Sequence, residues 1–361
     1  MKDNVTITGS AHTDHIHDSA IKHVTGAADY TDDIAQPEGT LHAYLGVSTV
    51  THARIVSLDL SAVRAAPGVV GVLTAADIPG HNDISPTGQN DEPVFPTDLI
   101  QFHGQPLFAV VAETRDAARR AEGQIAFAIP GEDDEVVVHC STQHPSEAQH
   151  MVAHVLGVPS NAVVVNVRRM GGGFGGKESQ MNIFAAVAAL AAKKWNRAVK
   201  IRPDRDQDMT ATGKRHDFVV DYDVAFDDTG RIEAVGGSFA ARCGYSSDLS
   251  GPVTDRALFH ADNAYFYPHV RLESRPMKTN TVSNTAFRGF GGPQGVIVAE
   301  RMIEEIAYAT GQDPLDVRKA NFYGGEGRDL TPYHQQVTDN ILDRLVGELE
   351  QSADYRARVA A

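Results

Sequence analysis

The run Met170-Gly-Gly-Gly-Phe174-Gly-Gly-Lys177-Glu178 constrains this chain more than any other segment. It lies between an apolar stretch that reads as a strand, Ala162–Val167, and an alanine-rich stretch that reads as a helix, Ser179–Lys194. Backbone bare of side chains can lie close to a ligand. Unpaired N–H groups at a helix start can also donate to anionic oxygens. A strand, a glycine loop and a helix in this order call for mixed α/β structure with a ligand at the loop.

Three readings of the loop compete. The spacing Gly171-x4-Gly176-Lys177 fits a phosphate-binding P-loop, but the next residue there should be Ser or Thr to reach a magnesium ion. Glu178 stands in that place, and its charge opposes a triphosphate. A plain tight turn is the second reading, yet five glycines exceed what a turn needs, and a Phe and a Lys-Glu pair inside the run are specific choices. The third is a loop built for one particular ligand.

The rest of the chain narrows the class. A net charge of −15 disfavours nucleic acid as a partner, because phosphate contacts need an excess of Lys and Arg. The polar start reads as a leader without a signal peptide. The longest apolar run, Ile183–Ala192, is too short to cross a bilayer, so a cytoplasmic protein is expected. Only Cys140 and Cys243 occur, too few for an iron–sulfur cluster in this chain. His12, His15 and His17 form a histidine cluster, but in the polar leader nothing fixes it for a metal. Arg202, Asp204, Arg205, Asp206 and Asp208 read as a solvated charged stretch with local ion pairs.

Periodicity predicts strands at Leu41–Val50, Val69–Leu73, Leu107–Ala112, Ile125–Ile129 and Val136–Cys140, with a loop over Ile84–Thr97. Pro145 suits a first helical turn and Gly157 a helix end, which puts Gln143 at a strand end before a helix. Phe218, Val220, Tyr222, Val224 and Phe226 alternate with mostly polar residues before Asp227-Asp228-Thr229-Gly230, the clearest hairpin in the chain. Val296, Ala299, Met302, Ile303 and Ile306 form a helical stripe ended by Gly311, after which Asp313 and Pro314 cap and start another helix. The expected class is α+β. Residues 1–16 form a polar leader, 17–121 a first domain and 122–361 a second. At the boundary, Ala121–Gly123, a helix runs almost directly into a strand without turn chemistry.

The run Arg169–Glu178 resembles the molybdopterin-binding loop of the xanthine dehydrogenase and aldehyde oxidase family. Three further segments resemble the same family in the same order: Ser141-Thr142-Gln143-His144-Pro145, Asp255-Arg256-Ala257-Leu258-Phe259-His260, and Thr279–Gly295 with its core Ala286-Phe287-Arg288-Gly289-Phe290-Gly291-Gly292. The likeness runs from about His17 to near the end of the chain. It implies an α/β hammerhead-type domain followed by part of a molybdopterin-binding α+β domain.

The resemblance also implies roles. Molybdenum is held by the dithiolene sulfurs of a pterin, so no protein group ligates it. Gln143 and the backbone N–H of Phe174 reach toward the metal's oxygen. Gly173, Gly175 and Arg288 help seat the cofactor, and Phe290 stacks on a flat substrate. Glu178 and Arg256 grip opposite ends of a purine, where aldehyde oxidases carry small or apolar residues. That choice agrees with the polar edges of a purine, which an apolar pocket would leave unpaired. The implied reaction is oxidative hydroxylation of hypoxanthine and xanthine to urate. A partner subunit with iron–sulfur clusters and FAD would carry the electrons to NAD, in a dimer of heterodimers. Two departures weigh against activity of the chain alone. The family's catalytic Glu lies in a half without counterpart here, so no residue is assigned as catalytic. A connector also looks deleted at Ala121–Gly123. An inactive remnant that folds or binds a partner is the alternative; an aldehyde oxidase or a P-loop nucleotide binder ranks behind it.

Overall fold

The structure, a computed structural model, describes residues 16–118, 126–131, 135–325 and 327–361. Residues 1–15 of the leader, with His12 and His15, and the junction Ala121–Gly123 lie outside these residues. The first region contains α1 (Ala20–Thr25), β1 (Leu41–Val47), β2 (Ala53–Arg54), α2 (Ser61–Arg64), β3 (Val69–Leu73), β4 (Leu99–Ile100), β5 (Pro106–Ala112) and α3 (Arg115–Ala118). Then come β6 (Ala126–Pro130), β7 (Val136–Cys140), α4 (Pro145–Leu156), β8 (Val163–Asn166), α5 (Asn182–Trp195), β9 (Val199–Ile201) and α6 (Arg205–Ala211). The last region holds β10 (Phe218–Phe226), β11 (Ile232–Gly244), α7 (Ser250–Phe259), β12 (His269–Lys278), α8 (Gly292–Thr310), α9 (Pro314–Asn321), α10 (Leu342–Ser352) and α11 (Tyr355–Ala360).

Seven strands join in one mixed sheet, in the order β3-β5-β1-β9-β6-β7-β8. The join between the two regions is β9, which pairs in parallel with β1 (Leu41 opposite Val199) and antiparallel with β6 (Phe127 opposite Lys200). Helix α5 packs on this sheet. Phe184 and every residue from Ala185 to Ala192 are buried, which is why the stretch is apolar all round. The three residues of β9 follow the helix after only a short turn at Asn196 in the left-handed conformation. So short a strand carries no periodicity of its own.

A second core forms where α8 crosses the sheet β10-β11-β12. Phe218, Val220, Tyr222, Val224 and Phe226 all pack into it, as their alternation predicts. Asp227 closes the hairpin: its carboxylate accepts from the N–H groups of Thr229 (2.8 Å) and Arg231 (3.0 Å). Asp313 caps α9 by accepting from the Leu315 N–H at 2.8 Å.

The charged stretch after β9 differs from its sequence reading. Asp204 caps α6, accepting from the Gln207 N–H at 2.7 Å, and Arg202 pairs at 2.7 Å with Asp32, far away in sequence. Sequence spacing shows only local pairs, whereas the sheet brings distant ones together. His17 lies at the surface, where its Nδ1 accepts from the Ser19 N–H at 3.1 Å. Among the described residues no group of three or more His, Cys, Asp or Glu is arranged to hold a metal ion. None of the described helices is long and apolar enough to cross a membrane.

Candidate functional site

The glycine loop leaves β8 and reaches α5 across the C-terminal end of β7, where Cys140 gives way to Ser141-Thr142-Gln143. Polar side chains on this strand end hold the loop. The Ser141 hydroxyl donates to the Met170 carbonyl at 2.5 Å, and the Thr142 hydroxyl donates to the Lys177 carbonyl at 3.1 Å. The Gln143 N–H donates to the same carbonyl at 2.8 Å. Lys177 then folds back under the loop, and its ammonium donates to Ser141 Oγ (2.8 Å) and to the carbonyls of Met170 (3.0 Å) and Gly172 (3.2 Å). Burial pulls the Lys177 pKa below its ordinary value. Spacing marks Lys177 only as part of a P-loop pattern or of a specific Lys-Glu pair; in the structure it is the loop's internal staple.

Gln143 sits at the centre. Its side-chain oxygen accepts from the Gly175 N–H at 2.8 Å, so the carboxamide NH2 is oriented as a donor on the other side. Gly173 lies against the same side chain; a Cβ there would sit 2.9 Å from Gln143 Cγ and 3.0 Å from Met170 Sδ.

The second glycine-rich segment closes on the first. Gly175 bridges to Phe287, the Gly176 N–H donates to the Ala286 carbonyl at 2.7 Å, and the Arg288 N–H donates to the Phe174 carbonyl at 2.8 Å. Contact this close explains Gly175: its φ is +85°, and a Cβ would lie 2.4 Å from the Ala286 oxygen. The ring of Phe174 is left 68% exposed, unusual for a large apolar side chain held in place by its backbone. Phe290 adopts a left-handed φ of +50° where the chain turns into α8, and its N–H donates to the Phe287 carbonyl at 2.7 Å. Such a conformation in a bulky residue is strained and clusters at functional sites.

Asp248 ties these segments from beneath. It is 1% exposed, and its carboxylate accepts from Ser179 Oγ (2.5 Å), Gln180 Nε2 (2.9 Å), Thr285 Oγ1 (2.7 Å) and the Leu249 N–H (2.5 Å). One side chain thus joins the end of the glycine loop, the start of the Ala286–Gly292 segment and the entry to α7. The first region grips the same corner. Asp91 accepts from the Ser247 N–H at 2.7 Å, and the Ser246 hydroxyl donates to Glu92 at 3.1 Å. Burial, together with the Asp248 carboxylate, pushes Glu92 well above the usual carboxylate range, and burial raises Asp248 as well. The sequence offered one faint signal for this hub, the polar Ser179-Gln180 pair entering an otherwise apolar helix.

The two residues expected to set substrate class lie on different elements, Glu178 at the end of the glycine loop and Arg256 on α7. The Glu178 pKa is raised by burial and by the nearby Asp248 and Glu147, with His144 opposing. Arg256 is exposed on α7 and donates to His260 Nε2 at 3.2 Å, one turn on. Among the described residues no hydrogen bond or ion pair joins Glu178 to Arg256. Helix α7 meets α8 without space for side chains: a Cβ on Gly291 or Gly295 would come within 2.1 Å of the Val253 or Ala257 carbonyl oxygen, respectively. That packing fixes the backbone of α7 against the turn that carries Phe290, with Arg288 also exposed on the segment before α8.

The family model for the molybdopterin cofactor-binding domain matches residues 114–322. The model for the aldehyde oxidase and xanthine dehydrogenase a/b hammerhead domain matches residues 25–128. A xanthine dehydrogenase of Dictyostelium discoideum is 36% identical over 408 residues, covering 96% of this chain and 30% of that protein. A xanthine dehydrogenase/oxidase of Gallus gallus is 38% identical, with 95% and 30% covered. The chain therefore spans about 30% of the length of these relatives, and alignments longer than its 361 residues mean that they carry internal positions it lacks. The fold is shared with the aldehyde oxidoreductase of Desulfovibrio gigas (TM-score 0.83, 23% identity, 93% of this chain and 46% of that one). It is shared equally with the CO dehydrogenase of Oligotropha carboxidovorans (TM-score 0.83, 20% identity, 96% and 55%). The chain belongs to the aldehyde oxidase and xanthine dehydrogenase family, of which it carries the hammerhead and the molybdopterin cofactor-binding domains.

Proposed function

We propose that this chain forms one wall of a molybdopterin site at which a purine is oxidatively hydroxylated. The observation that carries the reading is the Gln143 carboxamide, locked by the Gly175 N–H into one orientation where the two glycine segments meet. The residues fit the group. Gly173 and Gly175 keep the surface clear of Cβ atoms, Gln143 offers a fixed donor, the Phe174 backbone is pinned through its carbonyl, and Arg288 adds an exposed cation. Molybdenum carried on a pterin dithiolene supplies a two-electron redox centre, so the absence of a protein ligand set does not count against the site.

Around that centre the chain's own residues orient the substrate. Phe290 offers a flat face for a ring. Glu178, with its raised pKa, accepts or shares a proton at a purine edge more readily than an ordinary carboxylate. Arg256 supplies positive charge for the negative charge a purine ring gains on hydroxylation. Iron–sulfur and flavin centres of a further chain or domain would carry the electrons to NAD, as in a cytoplasmic xanthine-oxidising assembly.

In the assembled oxidoreductase, Arg256→Met lowers xanthine turnover by about two to three orders of magnitude, as loss of one oxyanion donor does. It leaves oxidation of a simple aromatic aldehyde within a few-fold. Equal xanthine rates in the variant and the unaltered protein would remove Arg256 from the site and with it the purine reading. A second reading is favoured by the internal positions missing relative to the xanthine dehydrogenases. On it, the chain folds and holds a partner or cofactor without turnover, and the assembly would then contain pterin yet oxidise no purine.

A further inference from the structure

On the face of the seven-stranded sheet opposite α5 lies a second polar site, built from residues that the glycine loops do not contain. Leu41 and Ala43 of β1, and Val199 and Ile201 of β9, point into the core around α5. The residues between them, His42 and Lys200, are directly paired in register and so emerge together on the other face. Lys200 is 94% buried in the middle of a central strand, a costly place for an ammonium without partners. Its Nζ is held 2.6 Å from the Asp32 carboxylate and donates to the Asp32 carbonyl at 3.1 Å. Arg202 reaches the other carboxylate oxygen at 2.7 Å. Its Nε, however, is buried without a hydrogen-bond partner. Arg115 of α3 and Gln36 complete the rim of a small cavity around these groups.

Among the described residues the charges do not balance. Three permanent cations, Lys200, Arg202 and Arg115, line the cavity against one carboxylate, Asp32; the neighbouring Asp33 is turned away to accept from the Tyr30 N–H at 3.0 Å. The surplus is felt inside the site: burial first, then the Lys200 and Arg115 charges, hold the His42 imidazole below its ordinary pKa. Two uncompensated positive charges, an unpartnered guanidinium N–H and a neutral amide at the rim make a receptor for a compact dianion. We propose that this cavity binds a phosphoryl dianion, with Arg202 Nε and the Arg115 guanidinium as its donors and Lys200 as the buried charge beneath it.

The test is calorimetric titration of the full chain with inorganic phosphate, and separately with glycerol 3-phosphate, at constant ionic strength in chloride. Saturable 1:1 binding of phosphate is expected. The ester binds as well if the physiological ligand is a phosphate monoester, and fails if it is the free ion. Arg115→Gln, an exposed position that leaves both Asp32 ion pairs intact, weakens binding about tenfold without moving the melting temperature measured in chloride. Absence of saturable binding for both compounds, or unchanged binding in Arg115→Gln, overturns the proposal. Arg202→Gln gives a second check: it abolishes binding while Arg202→Lys, which keeps the charge but loses the fork, restores it only in part.

Discussion

Replacing Asp248 by Asn changes one atom type in the hub beneath both glycine segments. Three buried side-chain donors converge on this carboxylate: Ser179 and Gln180 on Oδ2, and Thr285 on Oδ1. If the new amide takes the Oδ2 position, the Gln180 NH2 faces a second NH2 with no acceptor between them. An unmet buried donor costs about 1–3 kcal/mol. The Ser179 hydroxyl can rotate to Thr285 Oγ1, 3.3 Å away, so its bond is recovered in part. Relief from burying a charge offsets some of the loss. The net expectation is a destabilisation of about 1–2 kcal/mol. Asn is suited to the left-handed backbone here (φ +40°), so the change tests the hydrogen bonds and not the turn. Asp248→Ala should cost more, about 3–4 kcal/mol, because it removes both acceptors and strains the backbone. Urea unfolding at neutral pH measures the free energies. Amide exchange should show protection lost at residues 171–180 and 285–290 together, before the α5 core opens. An Asn variant as stable as the parent, with both segments equally protected, would refute the hub.

Gly175→Ala should destabilise by about 2–4 kcal/mol, because its Cβ meets backbone atoms at 2.4–2.5 Å with φ at +85°; a thermal melt unchanged within error would contradict the loop-to-loop contact. Burial lowers the His216 pKa from 6.5 to about 4, so the folded chain binds fewer protons than the unfolded one between those values. Stability from this group is therefore present above pH 6.5 and is lost as pH falls toward 4. The loss is about 3 kcal/mol at most, and should be missing in His216→Gln on pH-dependent unfolding. Glu92 has the opposite sign. Its folded pKa is raised, so its contribution is intact below the unfolded carboxylate range and is lost as pH rises from that range through the raised folded value. Glu92→Gln should then raise the melting temperature at pH 8 relative to the parent and do little at pH 4; a uniform effect across that span would contradict the buried-acid account.

Much of this fold is legible from local signals. The turn carboxylate Asp227, the cap Asp313, and the glycine stop of α4 at Gly157 each act within a few residues, and each stands where pattern places it. The all-apolar α5 announces its burial in the same way. The seven-stranded sheet is different, because its central join rests on the three residues Val199–Ile201, which carry no period and owe their place to pairing with β1 and β6. Ion pairs behave alike: Arg202 finds Asp32 only because β9 docks beside β1. At the site, the glycine segments and Gln143 could be singled out because close backbone approach leaves a trace as missing side chains. Lys177 and Asp248 left no trace of what they do, beyond the Lys-Glu pair and the polar Ser179-Gln180 entry to α5. Their roles depend on which carbonyls and hydroxyls the folded loops turn inward, and no spacing rule encodes that.

Cofactor retention by the assembled oxidoreductase, in which this chain forms one wall of the site, tests the central claim most directly. The assembly is isolated from cells that make molybdopterin, and released pterin and molybdenum are counted per chain. The account predicts near-stoichiometric pterin in the parent, and at least a tenfold loss in Gln143→Leu with the melting temperature lowered by no more than a few degrees. A parent assembly without pterin, or a Gln143→Leu assembly that retains it fully, would contradict the account.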